Sequence, residues 1–213
     1  AAALMTGPIN KEKLVRRGFA YTGHTDFLGA LCGVKRPVMA FVGQRLHVSL
    51  VTVHCPVSEV PGRLNRDLIT HVLHETHRPF ARYGAEPTPT LLVCGLNPHA
   101  GDGGVLGREE IDCIGPAIAE CGVPGVVGPI SAEAAFTRAM RTQGQVVVAM
   151  YHDQGLIPVK IITLNYSVNT TIGLPIIRTS PDHGTGFDIA NKGIAQCQSM
   201  IEAIKTANDL LVN

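Results

Sequence analysis

The feature that most constrains this chain is a series of short, continuous apolar runs separated by segments with helical spacing. Residues 38–42, 90–95, 123–127, 145–151 and 174–178 show almost no polar alternation, the pattern of strands covered on both faces. Between them, residues 65–83 place Leu68, Ile69, Val72 and Leu73 at helical intervals, with Pro79 expected to bend or end the helix. Residues 109–120 form a helix with acids in its first turn, and 132–141 a helix behind a Ser131 cap. A last helix covers 196–211, a short one 26–33, and a strand 2–6. Residues 46–53 read as a strand turned back on 38–42 through Gly43-Gln44-Arg45. The alternation predicts an α/β fold, a largely parallel sheet with helices on both faces and some antiparallel strands.

At 213 residues and a formal net charge of +1, the chain can bury a good core. It carries no electrostatic footprint for nucleic acid. No apolar run reaches membrane-span length. Residues 1–8 lack a charged leader and a cleavage pattern, so no signal peptide is expected. Residues 1–5 already read as a strand under way, which suggests that something precedes them. The six cysteines (Cys32, Cys55, Cys94, Cys113, Cys121, Cys197) form no CxxC pair. That argues against a redox motif or thiolate zinc site and suits a reducing cytoplasm.

Three histidines hold equivalent places after expected strands: His54, His99 and His152. The carboxyl ends of parallel strands lie on one edge, so the three imidazoles can converge. Neutral imidazoles suit a divalent ion and leave it open positions and Lewis acidity. Any one of them alone reads equally as a hydrogen-bonded loop histidine. His71, His74 and His77 are different. They drift round one helix, do not form HExxH, and read as solvated or packing residues. Residues 101–107 also fall short of a dinucleotide fingerprint, because Leu106 stands where a third glycine belongs.

The segment Asp182-His183-Gly184-Thr185-Gly186-Phe187-Asp188-Ile189-Ala190 joins small residues to two carboxylates. It suits close backbone approach to a flat ligand, and equally a surface turn. Lys160 and Arg178 flank loops at the expected site edge. Arg offers a bidentate fork for phosphate, and Lys a mobile proton and charge.

Four segments then carry a resemblance: Thr22-Gly23-His24-Thr25-Asp26, Gly95-Leu96-Asn97-Pro98-His99-Ala100-Gly101, Met150-Tyr151-His152-Asp153-Gln154-Gly155, and Leu174-Pro175-Ile176-Ile177-Arg178-Thr179-Ser180. Thr6-Gly7-Pro8 with Lys11 adds to them. With these the chain resembles the 4-hydroxythreonine-4-phosphate dehydrogenase family from its first residues to its last helix. The resemblance implies an isocitrate/isopropylmalate-dehydrogenase-like fold. It implies a divalent metal (zinc, magnesium or cobalt) on His54, His99 and His152, in a site shared across a homodimer. It implies substrate binding by His24, Thr25, Lys160, Asn169 and Arg178, with Lys160 and His152 catalytic. NAD or NADP is implied, its adenosine held by residues 183–192, among them His183, Gly184, Thr185 and Asp188. The implied reaction oxidises and decarboxylates 4-phosphooxy-L-threonine to 3-amino-2-oxopropyl phosphate in vitamin B6 biosynthesis. Residues 1–165 then form a metal- and substrate-binding lobe, and 166–213 the C-terminal part of an NAD-binding lobe.

The chain departs from the family pattern in three ways. The glycine-rich N-terminal segment is absent, Glu133 stands where Asp is expected, and Asn191 replaces a glycine before Lys192. Related enzymes use 4-phospho-D-threonate or 4-phospho-D-erythronate, and both remain open as substrates. A three-histidine hydrolase and a non-catalytic binding fragment are the rival readings of the residues.

Overall fold

The computed structural model describes residues 3–83 and 88–212; Ala2, expected in the first strand, lies outside the described residues. Eight strands form one sheet: β1 (Ala3–Met5), β2 (Val38–Val42), β3 (His47–Leu50), β4 (Thr90–Cys94), β5 (Val126–Ile130), β6 (Gln145–Ala149), β7 (Val168–Ile172) and β8 (Ile177–Pro181). Their spatial order is β1-β8-β7-β2-β3-β6-β4-β5. The run β3-β6-β4-β5 is parallel throughout. On its other side β2 is antiparallel to both β3 and β7, and β7 is antiparallel to β8. The β2–β3 hairpin closes where expected, with the Gly43 amide donating to the Leu46 carbonyl at 3.1 Å.

The helices are α1 (Lys11–Val15), α2 (His24–Leu31), α3 (Val60–Arg63), α4 (Arg66–Tyr83), α5 (Gly115–Glu120), α6 (Ala132–Arg141), α7 (His152–Thr163) and α8 (Gln198–Val212). One sheet face buries Ile69, Val72 and Leu73 of α4 with Ile114 and Ala117 against Val38, Ala40, Leu91 and Val146. The other packs Ala135, Phe136 and Ala139 of α6 and Val159 of α7 on Val48, Leu92 and Val147. α8 lies against β8, with Thr179 Oγ1 donating to the Ala203 carbonyl at 2.9 Å. Helices therefore cover both faces. On the α6–α7 side, Met39 and Phe41 of β2, Asn169 of β7 and Arg178 of β8 line a groove with Leu156 of α7.

Several expectations shift. α4 keeps its expected span, with Pro79 inside the helix and not at its end. The expected strand 123–127 lies three residues later, as β5, and 174–178 becomes β8. The expected helix 109–120 begins as one wide turn, Glu110–Ile114, before α5. α7 and β7 are additions: the residues after Tyr151, read as a loop, are helical from His152 onward. The Ser131 cap is present, its Oγ accepting from the Ala134 amide at 3.3 Å.

Candidate active site

His54 and His152 lie beyond the carboxyl ends of neighbouring parallel strands, β3 and β6, and their ring centroids are 5.6 Å apart. Burial, then the charges of Lys11 and His152, hold the His54 imidazole below the usual histidine range against the pull of Asp26. A neutral ring is the form that ligates metal. His152 opens α7, and its Nδ1 donates to Asp153 Oδ1 at 2.7 Å. That bond fixes the tautomer and leaves Nε2 as the free donor atom. His99 follows β4 but is exposed and stands apart from this pair. Among the described residues, no group of three or more His, Cys, Asp or Glu side chains is placed to hold an ion. The donor set of one chain therefore fits two positions of an imidazole site, not three.

The imidazole pair stands at the head of a groove of about 240 Å³. His24, Thr25, Asn169 and Arg178 line it, with Lys11, Asp26, Met39, Phe41 and Asp182. Strand register explains the convergence. Met39 is opposite Thr171, Phe41 opposite Asn169, and Thr171 opposite Arg178, so all five share one sheet face. Arg178 and Asn169 thus rise from the face of antiparallel strands, where the sequence suggests a loop edge.

Arg178 is 4% exposed. Its Nε and Nη2 donate to Thr6 Oγ1 at 3.2 and 2.8 Å, and its Nη1 to Asn169 Oδ1 at 3.2 Å and Thr171 Oγ1 at 3.0 Å. These partners are neutral oxygens, so they orient the guanidinium without balancing its charge. Burial lowers its pKa to about 10, which still leaves it charged at neutral pH. Burial, then Arg178, also lower the pKa of His24. Lys160 lies outside the groove lining, but its Nζ is 2.6 Å from Asp182 Oδ2 and donates to the Asp182 carbonyl at 2.7 Å. Ser167 Oγ donates to the same carboxylate at 2.6 Å.

Asp182 also begins the wall of a second, open cavity of about 780 Å³, enclosed entirely by the stretch from Asp182 to Ser199. His183, Gly184, Thr185 and Asp188 line it. A Cβ on Gly184 would meet no atom within 4 Å. Lys13 of α1 sits over the Phe187 ring of this loop, 4.3 Å from the centroid.

The sequence reading misses Lys11, Asp182, Thr6 and Thr171 as site residues. Lys11 lies inside a quoted motif and Asp182 begins one. Thr6 begins a quoted motif too, and Thr171 becomes visible only once strands are paired. On α4, His71 Nε2 bonds the Arg36 carbonyl at 2.7 Å, away from the groove.

The chain matches the family model described as pyridoxal phosphate biosynthetic protein PdxA over residues 1–207. It is 46% identical over 213 residues to 4-hydroxythreonine-4-phosphate dehydrogenase of Ruegeria sp. (strain TM1040), an alignment covering 99% of this chain and 65% of that protein. The crystal structure of 4-hydroxythreonine-4-phosphate dehydrogenase from Klebsiella pneumoniae superposes with a TM-score of 0.88 at 40% identity, covering 100% of this chain and 64% of that one. The chain thus spans just under two thirds of the length of these relatives. At the level of fold alone it is similar to isocitrate dehydrogenase from Methylococcus capsulatus, with a TM-score of 0.52 at 19% identity, covering 96% of this chain and 68% of that one.

Proposed function

Since the chain belongs to the pyridoxal phosphate biosynthetic protein PdxA family, we propose that it carries the metal and substrate sites of an NAD-dependent oxidoreductase. The substrate is 4-phosphooxy-L-threonine, oxidised and decarboxylated to 3-amino-2-oxopropyl phosphate in pyridoxal phosphate biosynthesis. The carrying observation is the groove: an imidazole pair at its head, with Lys11 and the buried, orientated, charge-unbalanced Arg178 along its wall. Such a groove suits a small acid bearing phosphate.

Each residue then has a task. Arg178, held by Thr6, Asn169 and Thr171, presents its fork to the anion, and His24 and Thr25 complete the polar wall. Lys160, held in place by the Asp182 carboxylate and carbonyl, donates the proton that replaces carbon dioxide. His54, His152 and His99 would hold a divalent ion, which would supply Lewis acidity. His183, Gly184, Thr185 and Asp188 would hold the adenosine of NAD or NADP, which would supply a hydride acceptor. Residues 1–165 form the metal- and substrate-binding lobe, and 166–213, part of the NAD-binding lobe, lend Asn169 and Arg178 to the substrate groove. No helix among the described residues is long and apolar enough to cross a membrane, and six free thiols suit the cytoplasm.

The third imidazole comes from a second copy. Beside His99, Val105 is 80% exposed, and Leu106 and Ile111 are exposed as well. A cavity of about 280 Å³ lies against His54 and His152 and is walled by Val53, Cys55, Pro56, Val57 and Val60. One chain thus offers both an apolar projection and an apolar recess, as a two-fold dimer requires. The test mixes inactive subunits and follows NADH formation from a panel of phosphorylated four-carbon acids with NAD and with NADP. His99→Ala mixed with His54→Ala rebuilds one intact site per heterodimer and should restore up to about half of wild-type turnover. His54→Ala mixed with His152→Ala should restore none. Equal recovery in both mixtures would contradict this sharing, and no NADH from any acid with intact protein would contradict the dehydrogenase reading.

A further inference from the structure

From His99 to Gly103 five successive residues have left-handed backbone, with φ of 53°, 53°, 82°, 45° and 65°. Three of them, His99, Ala100 and Asp102, are not glycine. Left-handed backbone is disfavoured for an L-residue, because its Cβ crowds the following carbonyl oxygen. A run of this kind persists only where its surroundings over-determine it.

The over-determining group is Glu110. It is 5% exposed, and its Oε1 accepts from the Asn97 amide at 2.8 Å while Oε2 accepts from Asn97 Nδ2 at 3.0 Å. Burial opposes its charge. Hydrogen bonds from the Asn97 backbone and side chain, and from the Glu110 and Leu96 backbone, outweigh burial and keep the carboxyl below its usual range. Three glycines bear the imprint of this clamp. A Cβ on Gly95 would lie 2.9 Å from Glu110 Oε1, one on Gly101 2.6 Å from Glu110 Oε2, and one on Gly107 2.2 Å from Asn97 Nδ2. The clamp is also tied to the other histidines. Gln154, in the first turn of the helix that His152 opens, donates to the Gly95 carbonyl at 2.8 Å and accepts from the Met150 amide at 2.7 Å.

We propose that Glu110 is a positioning residue: its buried carboxylate, through Asn97, holds residues 99–103 in the left-handed run that presents His99 to the metal. This rests on the three-histidine reading above. A neutral amide at 110 keeps one acceptor oxygen and sets an NH2 against the other Asn97 donor; Asn97 Nδ2 then holds only its 2.7 Å bond to Glu109 Oε2, and the turn would relax toward right-handed backbone.

The probe is Co²⁺ alone, followed by its visible absorption and by titration on the full chain. Wild type is compared with His99→Ala, Glu110→Gln and Asn97→Ala, each with a thermal melt. Glu110→Gln should bind Co²⁺ about 10- to 100-fold more weakly, with a spectrum shifted toward that of His99→Ala. Asn97→Ala should move the same way by a smaller factor, and it carries the test if Glu110→Gln does not fold. Weakened binding in His99→Ala alongside wild-type affinity and spectrum in both clamp variants overturns the proposal and leaves the metal reading standing. Wild-type affinity in His99→Ala overturns the metal reading and the proposal together.

Discussion

His152 and His99 follow neighbouring parallel strands, yet the chain holds them in opposite ways. His152 begins a right-handed helix, and its ring is steadied by the next residue, Asp153. His99 begins a left-handed run steadied from eleven positions away by Glu110. One imidazole is held by local geometry and the other by a remote buried charge. The first arrangement tolerates change in its surroundings. The second concentrates its tolerance in a few glycines and one carboxylate.

The hardest blow to this contrast is Gly101→Ala. The new Cβ lies 2.6 Å from Glu110 Oε2 at a φ of +82°. The variant should lose about 3 kcal/mol of stability in urea unfolding, together with its Co²⁺ affinity. Gly155→Ala strikes the helix behind His152, where a Cβ would lie 2.6 Å from Leu50 Cδ2 and 2.9 Å from Val48 Cγ1. Overpacking there should lower stability by about 1–2 kcal/mol, with a smaller loss of Co²⁺ affinity than Gly101→Ala gives. Equal affinity losses in the two variants would erase the distinction. The mildest change is Asp153→Asn, at an exposed carboxylate. It should leave the unfolding midpoint in place and weaken Co²⁺ by about tenfold. A larger loss than that of Glu110→Gln would reverse the contrast.

What is legible in the sequence follows the same division. The β2–β3 hairpin and α6 declare themselves, one by two apolar runs around a glycine turn, the other by Ser131 and a clear apolar face. β7 does not, because Val-Asn-Thr-Thr-Ile reads as polar, and its threonines are buried only once β2 and β8 flank it on either side. α7 is masked by Gly155 and Pro158, both poor helix formers. Gly155 is needed there for close approach to β3. Of the candidate site, the histidines, Lys160, Asn169 and Arg178 can be picked out by residue type and motif. Their arrangement cannot, since Arg178 meets Thr6 across 172 positions of sequence. The left-handed run is hidden as well, because nothing local in His-Ala-Gly-Asp-Gly distinguishes it from a plain glycine-rich loop.

Asp182 belongs to the walls of both cavities and holds Lys160 by carboxylate and carbonyl together. Two ligands separated by a single side chain do not bind as independent partners. Whatever a molecule in one cavity does to the Lys160–Asp182 contact changes the free energy of filling the other. Thermodynamic reciprocity makes the effect equal in both directions: the factor by which a ligand in one cavity alters the affinity of the other cavity for its own is the factor by which the second alters the first. A single salt link thus sets the degree to which this site fills in two steps or as one.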